Sequence, residues 1–226
     1  MAIDKRAATT AEALAGVQDG ATVLISGFGG AGFANTLIRA LRDMGPRDLT
    51  LVVNSATHPL SRTHELIEAG LVRKVICSAA RGRGKDLSVF EQLWKDGKIE
   101  LQVLPQGTFA ECIRAGGAGI PAFYTPSGVG TELTEGKEIR RFGERDYALE
   151  HAIIGDVALV RGDVADRWGN MTFRYAQANF GPAMATAAKL TVAEVRVLQD
   201  ASIAPERVQL PGVYVDRIFV AGEKVS

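Results

Sequence analysis

The feature that most constrains the fold is a short aliphatic run, Thr22 to Ser26, ended by the glycine-rich stretch 27–32. After the glycines, Leu37, Ile38 and Leu41 recur at helical spacing. The sequence therefore predicts a strand, a glycine loop and a helix in direct succession. Such a unit is typical of sheets whose helices cross from one parallel strand to the next.

The same alternation continues along the chain. A helix is predicted to follow Pro105 and to end at a second glycine cluster, 116–119, and a hairpin turning at Gly143 is expected between residues 137 and 150. The order predicts an α/β fold with an open, mostly parallel sheet, helices on both faces and a small inserted β lobe, within one domain spanning residues 1–226. Further strands are predicted at 49–53, 72–77, 100–104, 157–161, 171–175 and 192–197, and further helices at 11–17, 64–69, 88–95 and 183–189.

Charge and cysteine usage exclude several classes of protein. Lysine plus arginine number 26 and aspartate plus glutamate also 26, so no basic excess is present to neutralise nucleic acid. Cys77 and Cys112 lack CxxC spacing, which is typical of a reducing compartment. No stretch approaches the roughly 18 apolar residues of a membrane span, and the first twenty residues lack a signal-peptide core. We therefore expect a cytoplasmic protein without membrane contact.

The glycine loop has the spacing of a ligand-binding turn. Gly27, Gly29 and Gly32 satisfy GxGxxG, and backbone N–H groups with the following helix dipole can hold an anion or a developing negative charge. A dinucleotide site would also want an acid after the next strand, where Asn54 stands, so a nicotinamide cofactor is disfavoured. The alternative, that these glycines only permit a tight turn and close helix packing, stays open on the pattern alone.

Two amide side chains lie at the predicted ends of strands. Gln106 occupies the crevice position where open α/β sheets bind ligands, and Asn54 holds the equivalent place on an earlier strand. Either amide can donate to a carbonyl oxygen, although isolated amides more commonly cap loops. His58, His64 and His151 lack metal-ligand spacing, so no metal site is predicted.

Other polar and aromatic residues have simpler explanations. Arg81, Arg83 and Lys85 form a glycine-interrupted basic loop that is able to meet phosphates, but a solvated loop is the simpler interpretation. Trp168 and Phe180 are expected to be packing anchors rather than part of a cofactor site.

Three segments together resemble the A (alpha) subunit of the family I coenzyme A transferases, in particular the 3-oxoacid and 3-oxoadipate enzymes. They are DGATVLISGFGGAG (19–32), KIELQVLPQGTFAECIRAGGAGIPAFYTPSGVGTEL (98–133) and ADRWGNMTFRYAQANFGPAM (165–184). The resemblance implies transfer of CoA from succinyl-CoA to a 3-oxo acid by a ping-pong route through a glutamyl-CoA thioester. It also implies that the CoA thioester is a substrate and that no cofactor is permanently bound.

The resemblance further implies a partner. In the family the nucleophilic glutamate lies in the B (beta) subunit, within a Ser-Glu-Asn-Gly motif that this chain lacks. The chain is therefore expected to be inactive without the beta subunit, in a heterodimer or heterotetramer with an apolar contact face that the sequence does not locate. Glu111, within a predicted helix, is expected to be structural. The residues carried over are Gly27, Phe28, Gly29, Gly30 and Gly32 for the loop, Gln106 for a contact near the thioester carbonyl, and Asn54 for an amide facing the reacting carboxylate.

The chain departs from the family pattern near the expected acyl pocket. Ser26 replaces a usual glycine and Ala34 a usual proline, which predicts a less rigid loop. Segments 53–57 and 81–85 also differ, so the acceptor stays open between 3-oxoadipate and acetoacetate. Two other functions remain alternatives: a sugar-phosphate isomerase-like enzyme using the loop for phosphate, and a non-catalytic acyl-CoA-binding module.

Overall fold

The computed structural model describes residues 3–82 and 84–221, and two sheets organise them. In the larger sheet seven strands are parallel in the order β4-β3-β2-β1-β8-β10-β11, and β9 pairs antiparallel with β8. The strands are β1 (Thr22–Ile25), β2 (Leu49–Val53), β3 (Val72–Cys77), β4 (Glu100–Val103), β5 (Ala122–Thr125), β6 (Ile139–Phe142), β7 (Arg145–His151), β8 (Gly155–Asp166), β9 (Met171–Thr172), β10 (Ala188–Gln199) and β11 (Arg217–Val220).

Helices cover both faces of this sheet, which confirms the predicted fold class. Leu37 and Leu66 bury α2 and α3 in a hydrophobic cluster on one face, together with Phe90 of α4. Phe109 and Met184 bury α5 and α6 in a second cluster on the opposite face. The helices are α1 (Thr10–Ala13), α2 (Asn35–Met44), α3 (Thr63–Glu68), α4 (Val89–Lys95), α5 (Gln106–Gly117) and α6 (Gly181–Thr186).

Strands β8 and β10 are the longest elements and shape the functional edge of the sheet. Each has 12 residues, and they pair along most of their length. On its β8 side, strand β1 pairs with only three residues, Val157 to Leu159. The later part of β8 therefore extends with β10 as a ribbon past the carboxyl end of β1.

The inserted lobe is a separate three-stranded antiparallel sheet in the order β5-β7-β6. Its hairpin turns at Gly143, whose φ of 59° is left-handed, as the glycine there predicts. Strand β5, which pairs with β7, was not predicted.

Three predicted boundaries are wrong for identifiable reasons. Helix α1 stops at Ala13 instead of reaching 17, because a turn with Gly16 at φ 97° follows. The strand expected at 171–175 ends at Thr172, since Tyr175 adopts a φ of 51° and opens a 3-10 turn. The alanine-rich helix ends at Thr186, and Ala188 already pairs with β8. Strand β11 was not predicted.

Within the described ranges, no helix combines the length and apolarity needed to cross a membrane.

Candidate active site

The ends of neighbouring parallel strands bring the predicted site residues to one edge of the sheet. Gly27 follows β1, Asn54 follows β2 and Gln106 follows β4 by three residues. A cavity of about 490 Å³ opens beside this edge, between the glycine loop and helices α5 and α6. It is lined by Phe28, Gln106, Gly107, Ala110, Asn179, Phe180 and Ala183.

The glycine loop is a tight turn whose conformation requires its glycines. Phe28 and Ala31 exchange N–H···O bonds of 2.9 and 3.0 Å across Gly29 and Gly30, whose φ values are 58° and 92°. A Cβ on Gly27 would lie 2.0 Å from the Phe33 ring. The conformation of the turn therefore requires glycine at these positions.

The tip of this loop keeps free backbone donors. Among the described residues, none accepts a hydrogen bond from the N–H groups of Gly29 or Gly30. The N–H of Gly27, in contrast, already donates to Oδ1 of Asn179 at 3.0 Å. Only part of the loop can therefore offer N–H groups to a ligand.

The start of α2 is not available to an anionic ligand, contrary to expectation. The carboxylate of Glu194, on β10, accepts hydrogen bonds from the N–H groups of Thr36 (2.9 Å) and Leu37 (3.0 Å). Arg161 Nη1 pairs with Glu194 Oε1 at 2.9 Å. Burial raises the pKa of Glu194, while Arg161 opposes that shift. The helix dipole thus stabilises an internal carboxylate.

Ser26 closes the base of the glycine loop. Its buried hydroxyl donates to the carbonyl of Gly32 (2.7 Å) and accepts from the N–H of Arg161 (3.2 Å). A glycine could form neither bond. The departure that predicted a less rigid loop instead adds a cross-link between its two ends and β8.

Gln106 is the first residue of α5 and is exposed on the cavity wall. Pro105 precedes it, and the carbonyl of Pro105 accepts the N–H of Phe109 at 2.8 Å. The first turn of a helix has no intrahelical partners for its N–H groups, so the peptide groups beside Gln106 add donors there. The structure brings Gln106 and Phe28 together in the lining of one cavity.

Asn54 does not line this cavity. Its side-chain Oδ1 accepts from the Ser78 hydroxyl at 2.9 Å, and its carbonyl accepts from the N–H groups of Ser78 and Ala79. The residue is only 8% exposed. Asn54 thus caps the loop that follows β3, the alternative that the sequence left open.

Asn179 is a cavity residue that sequence reasoning missed. It lies directly before Phe180, whose ring contacts both Phe28 and Phe109 edge-on at 6.4 and 5.3 Å. Phe180 is thus a packing anchor, as predicted, and it also forms part of the cavity wall. The local signal was an Asn-Phe-Gly-Pro string at a helix start. Asn179 could not be assigned from it, because its hydrogen bonds reach residues about 150 positions away in the chain.

The other candidate nucleophiles and ligands are accounted for by packing. Glu111 pairs with Arg114, whose hydrogen bond lowers the pKa of that carboxyl. Burial raises the pKa of Cys77 to about 11 and that of Cys112 to about 12, so both thiols stay protonated at neutral pH. Nδ1 of His64 lies 2.8 Å from the carbonyl of Ser61.

The basic loop makes one ion pair with a neighbouring helix. The exposed Arg81 lies 3.8 Å from the buried carboxylate of Glu91, on α4. Arg83 lies outside the described residues.

The chain is an α/β protein with a cavity at the carboxyl edge of its parallel sheet, between a glycine loop and a helix start, which is where proteins of this class commonly bind small molecules. Its fold matches the apoenzyme of the acyl-CoA transferase YdiF from Escherichia coli O157:H7 with a TM-score of 0.82 over 98% of this chain. The identity there is 24%, and this chain spans about half (48%) of the YdiF chain.

The family follows from the sequence comparisons. Residues 7–221 match the family model described as Coenzyme A transferase, and the chain belongs to this family. It is 45% identical to the A (alpha) subunit of 3-oxoadipate CoA-transferase from Pseudomonas putida, with 99% of this chain and 97% of that protein aligned. It is 41% identical to the mitochondrial succinyl-CoA:3-ketoacid coenzyme A transferase 2A of Mus musculus, covering 92% of this chain and 43% of the mouse protein.

Proposed function

We propose that this chain is the alpha subunit of a 3-oxoacid CoA-transferase that moves CoA from succinyl-CoA to 3-oxoadipate or acetoacetate. The observation that carries the proposal is its end-to-end similarity to an alpha subunit of that class. The mouse relative supports a partner: this chain aligns with 43% of it, which leaves room for a second unit. Assembly is as a heterodimer or heterotetramer, in the cytoplasm, where the two free cysteines fit a reducing environment.

The chemistry requires a carboxylate that this cavity does not contain. In the first half-reaction an enzyme glutamate and succinyl-CoA give glutamyl-CoA and succinate. In the second, a 3-oxo acid carboxylate takes the CoA and frees the glutamate. No aspartate, glutamate, lysine or arginine is among the described residues lining the cavity. We therefore propose that the nucleophile comes from the beta subunit, as the resemblance implies. The lack of a cation in the described lining disfavours a phosphate-binding isomerase.

Gln106 is proposed to donate its amide hydrogen to the thioester oxygen as negative charge develops there. A well-placed donor contributes on the order of 3 kcal/mol to such a transition state. Phe28 and the free N–H groups at the loop tip, including those of Gly29 and Gly30, complete the wall that holds the thioester. Asn54 was expected to face the reacting carboxylate, but it lies outside the cavity lining with its Oδ1 bound to Ser78, so we propose for it only the role of holding the loop after β3.

The beta subunit is proposed to cover the apolar surface around the glycine loop. Phe28, Leu60 and Tyr175 are exposed there by 41%, 59% and 89%. Leu60 packs over the loop, since a Cβ on Gly30 would lie 3.0 Å from its Cδ1. A partner seated on these residues would bring its glutamate to the open side of the cavity and exclude water from it.

The test is reconstitution. The chain is purified alone and together with a beta subunit that carries the Ser-Glu-Asn-Gly motif, and succinyl-CoA-dependent formation of 3-oxoadipyl-CoA and acetoacetyl-CoA is measured. We expect transfer by the pair only, with the preferred acceptor identified by kcat/KM. Transfer by the isolated chain, or none by the pair with either acid, would contradict the proposal.

A further inference from the structure

The side chain of Asn179 ties the glycine loop to the segment 175–181. It accepts hydrogen bonds from the N–H groups of Gly27 (3.0 Å) and Phe180 (2.7 Å) and donates to the carbonyls of Ala31 (3.1 Å) and Ala176 (2.8 Å). Two of these bonds reach the loop at both sides of its turn. All four hydrogen-bonding positions of one exposed amide are thus used within the chain.

The glycine loop and the segment 175–181 are closely packed at Gly32. A Cβ on Gly32 would lie 2.7 Å from Asn179 Nδ2 and 2.8 Å from the carbonyl of Gln177. Gly32 is buried, so the loop packs directly against this segment. Asn179 and Ser26 thereby hold the loop at its outer and inner sides.

The hydrogen bonds that join Asn179 to Gly27 and Ala31, together called the Asn179 clamp, position Phe28. It follows Gly27 directly, lines the same cavity as Gln106, and contacts Phe180, the neighbour of Asn179. Movement of the loop away from Asn179 would therefore widen the cavity opposite Gln106. Because 41% of Phe28 is exposed, packing within this chain alone holds it weakly.

We propose that Asn179 is a positioning residue for the transfer reaction: it holds the glycine loop so that Phe28 and the loop-tip N–H groups keep their places opposite Gln106. This inference rests on the function proposed above. Asn179 does not act on the substrate through bond making. Its contribution is the fixed geometry of groups that face the thioester.

The first experiment does not depend on activity. Amide hydrogen exchange is measured on the full chain and on Asn179→Ala, which removes the acceptor of the Gly27 N–H. Loss of one such bond should speed Gly27 exchange by about tenfold. The N–H of Leu37, held by Glu194, serves as the reference and should not change. Equal Gly27 exchange in both proteins would overturn the proposal.

The second experiment uses the reconstituted pair. Asn179→Ala should lower kcat by about 10- to 100-fold, since small misplacements of reacting groups cost that much. KM should stay within about twofold, because the lost geometry matters in the transition state. Asn179→Asp keeps the accepted bonds but loses both donated ones, so it should also lower kcat. This variant replaces Asn179→Ala as the test if the alanine variant folds poorly.

The matched control is Asn170→Ala. The Asn170 side chain likewise donates one hydrogen bond, to the carboxylate of Asp166, and accepts one from a backbone N–H, that of Gly212, both at 2.9 Å. It lines neither the cavity nor the proposed partner surface, so kcat of this variant should stay near the wild-type value. Equal kcat losses in the Asn170 and Asn179 variants would overturn the positioning role. A wild-type pair without transfer activity would instead refute the proposed function. The hydrogen-exchange result would still show whether Asn179 holds the glycine loop.

Discussion

At the scale of single residues, the site depends on a few amides used in different ways. Gln106 faces the cavity, whereas Asn54 is held by Ser78 and Asn179 is held by the glycine loop. An amide whose hydrogen bonds are all made within the chain can hold a neighbouring segment in place. An amide with free hydrogen-bonding positions can bind a substrate. The same functional group therefore serves as cap, clamp or donor according to its partners.

Replacement of Gln106 by alanine should remove the donor to the thioester oxygen. We expect kcat of the reconstituted pair to fall by about 100-fold, the range found for loss of one oxyanion donor. Gln92→Ala is the control, because Gln92 lies on α4 and its side chain bonds Asp96 at the surface. Steady-state kinetics with succinyl-CoA would check both, and an unchanged kcat in Gln106→Ala would refute the assigned role.

Local sequence pattern located some of these residues but not others. Gln106 and Phe28 could be predicted because each follows a parallel strand within a few residues. Asn179 could not, since its partners Gly27 and Ala31 lie on a distant part of the chain. The cap formed by Asn54 depends on Ser78, which only the pairing of β2 with β3 brings close.

At the scale of elements, a buried ion pair fixes where α2 begins. Helix α2 has no side-chain cap from its own N-cap residue, Ala34. Glu194 supplies that cap from β10, and Arg161, directly across on β8, balances the charge. The glycine loop is therefore anchored at its far end by a charged group from another strand.

Glu194→Gln should destabilise the protein by about 3 kcal/mol, because it leaves the largely buried Arg161 without its carboxylate. Urea unfolding followed by circular dichroism would measure the change in unfolding free energy. Asp163→Asn is the control: Asp163 pairs with Arg196 on the same ribbon but is more exposed, so about 1 kcal/mol or less is expected. Equal losses of unfolding free energy in both variants would show that burial does not determine how much an ion pair contributes to stability.

The elements themselves divide by how strongly local sequence specifies them. Strands β2 and β3 were predicted at their observed bounds. Every residue of β2 is buried, and β3 buries Val75, Ile76 and Cys77 at its end. The alanine-rich segment after residue 183 was predicted to be helical to 189, but pairing of β10 with β8 overrides helix propensity from Ala188 onward. Strands β5 and β11 have only four residues each, too few for a clear period.

At the scale of the whole molecule, the cavity is open and its described lining lacks a nucleophile. The lining has amides, aromatic rings and small residues, and the apolar side chains of Phe28, Leu60 and Tyr175 around it face solvent. The fold could be derived from the sequence because alternating strands and helices have few arrangements. The partner's proposed contribution to the site could only be inferred from the resemblance, since no pattern within one chain shows what another chain contributes.

This division of labour predicts where a covalent intermediate forms. When the pair is incubated with succinyl-CoA and no acceptor acid, intact-mass analysis should show a CoA adduct on the partner chain and none on this one. Glu111, on the same helix as Gln106, is held by Arg114, and that hydrogen bond lowers its pKa, which weakens it as a nucleophile. Glu111→Gln should therefore leave the partner's adduct unchanged. A CoA adduct on this chain that disappears in Glu111→Gln would move the nucleophile into this protein.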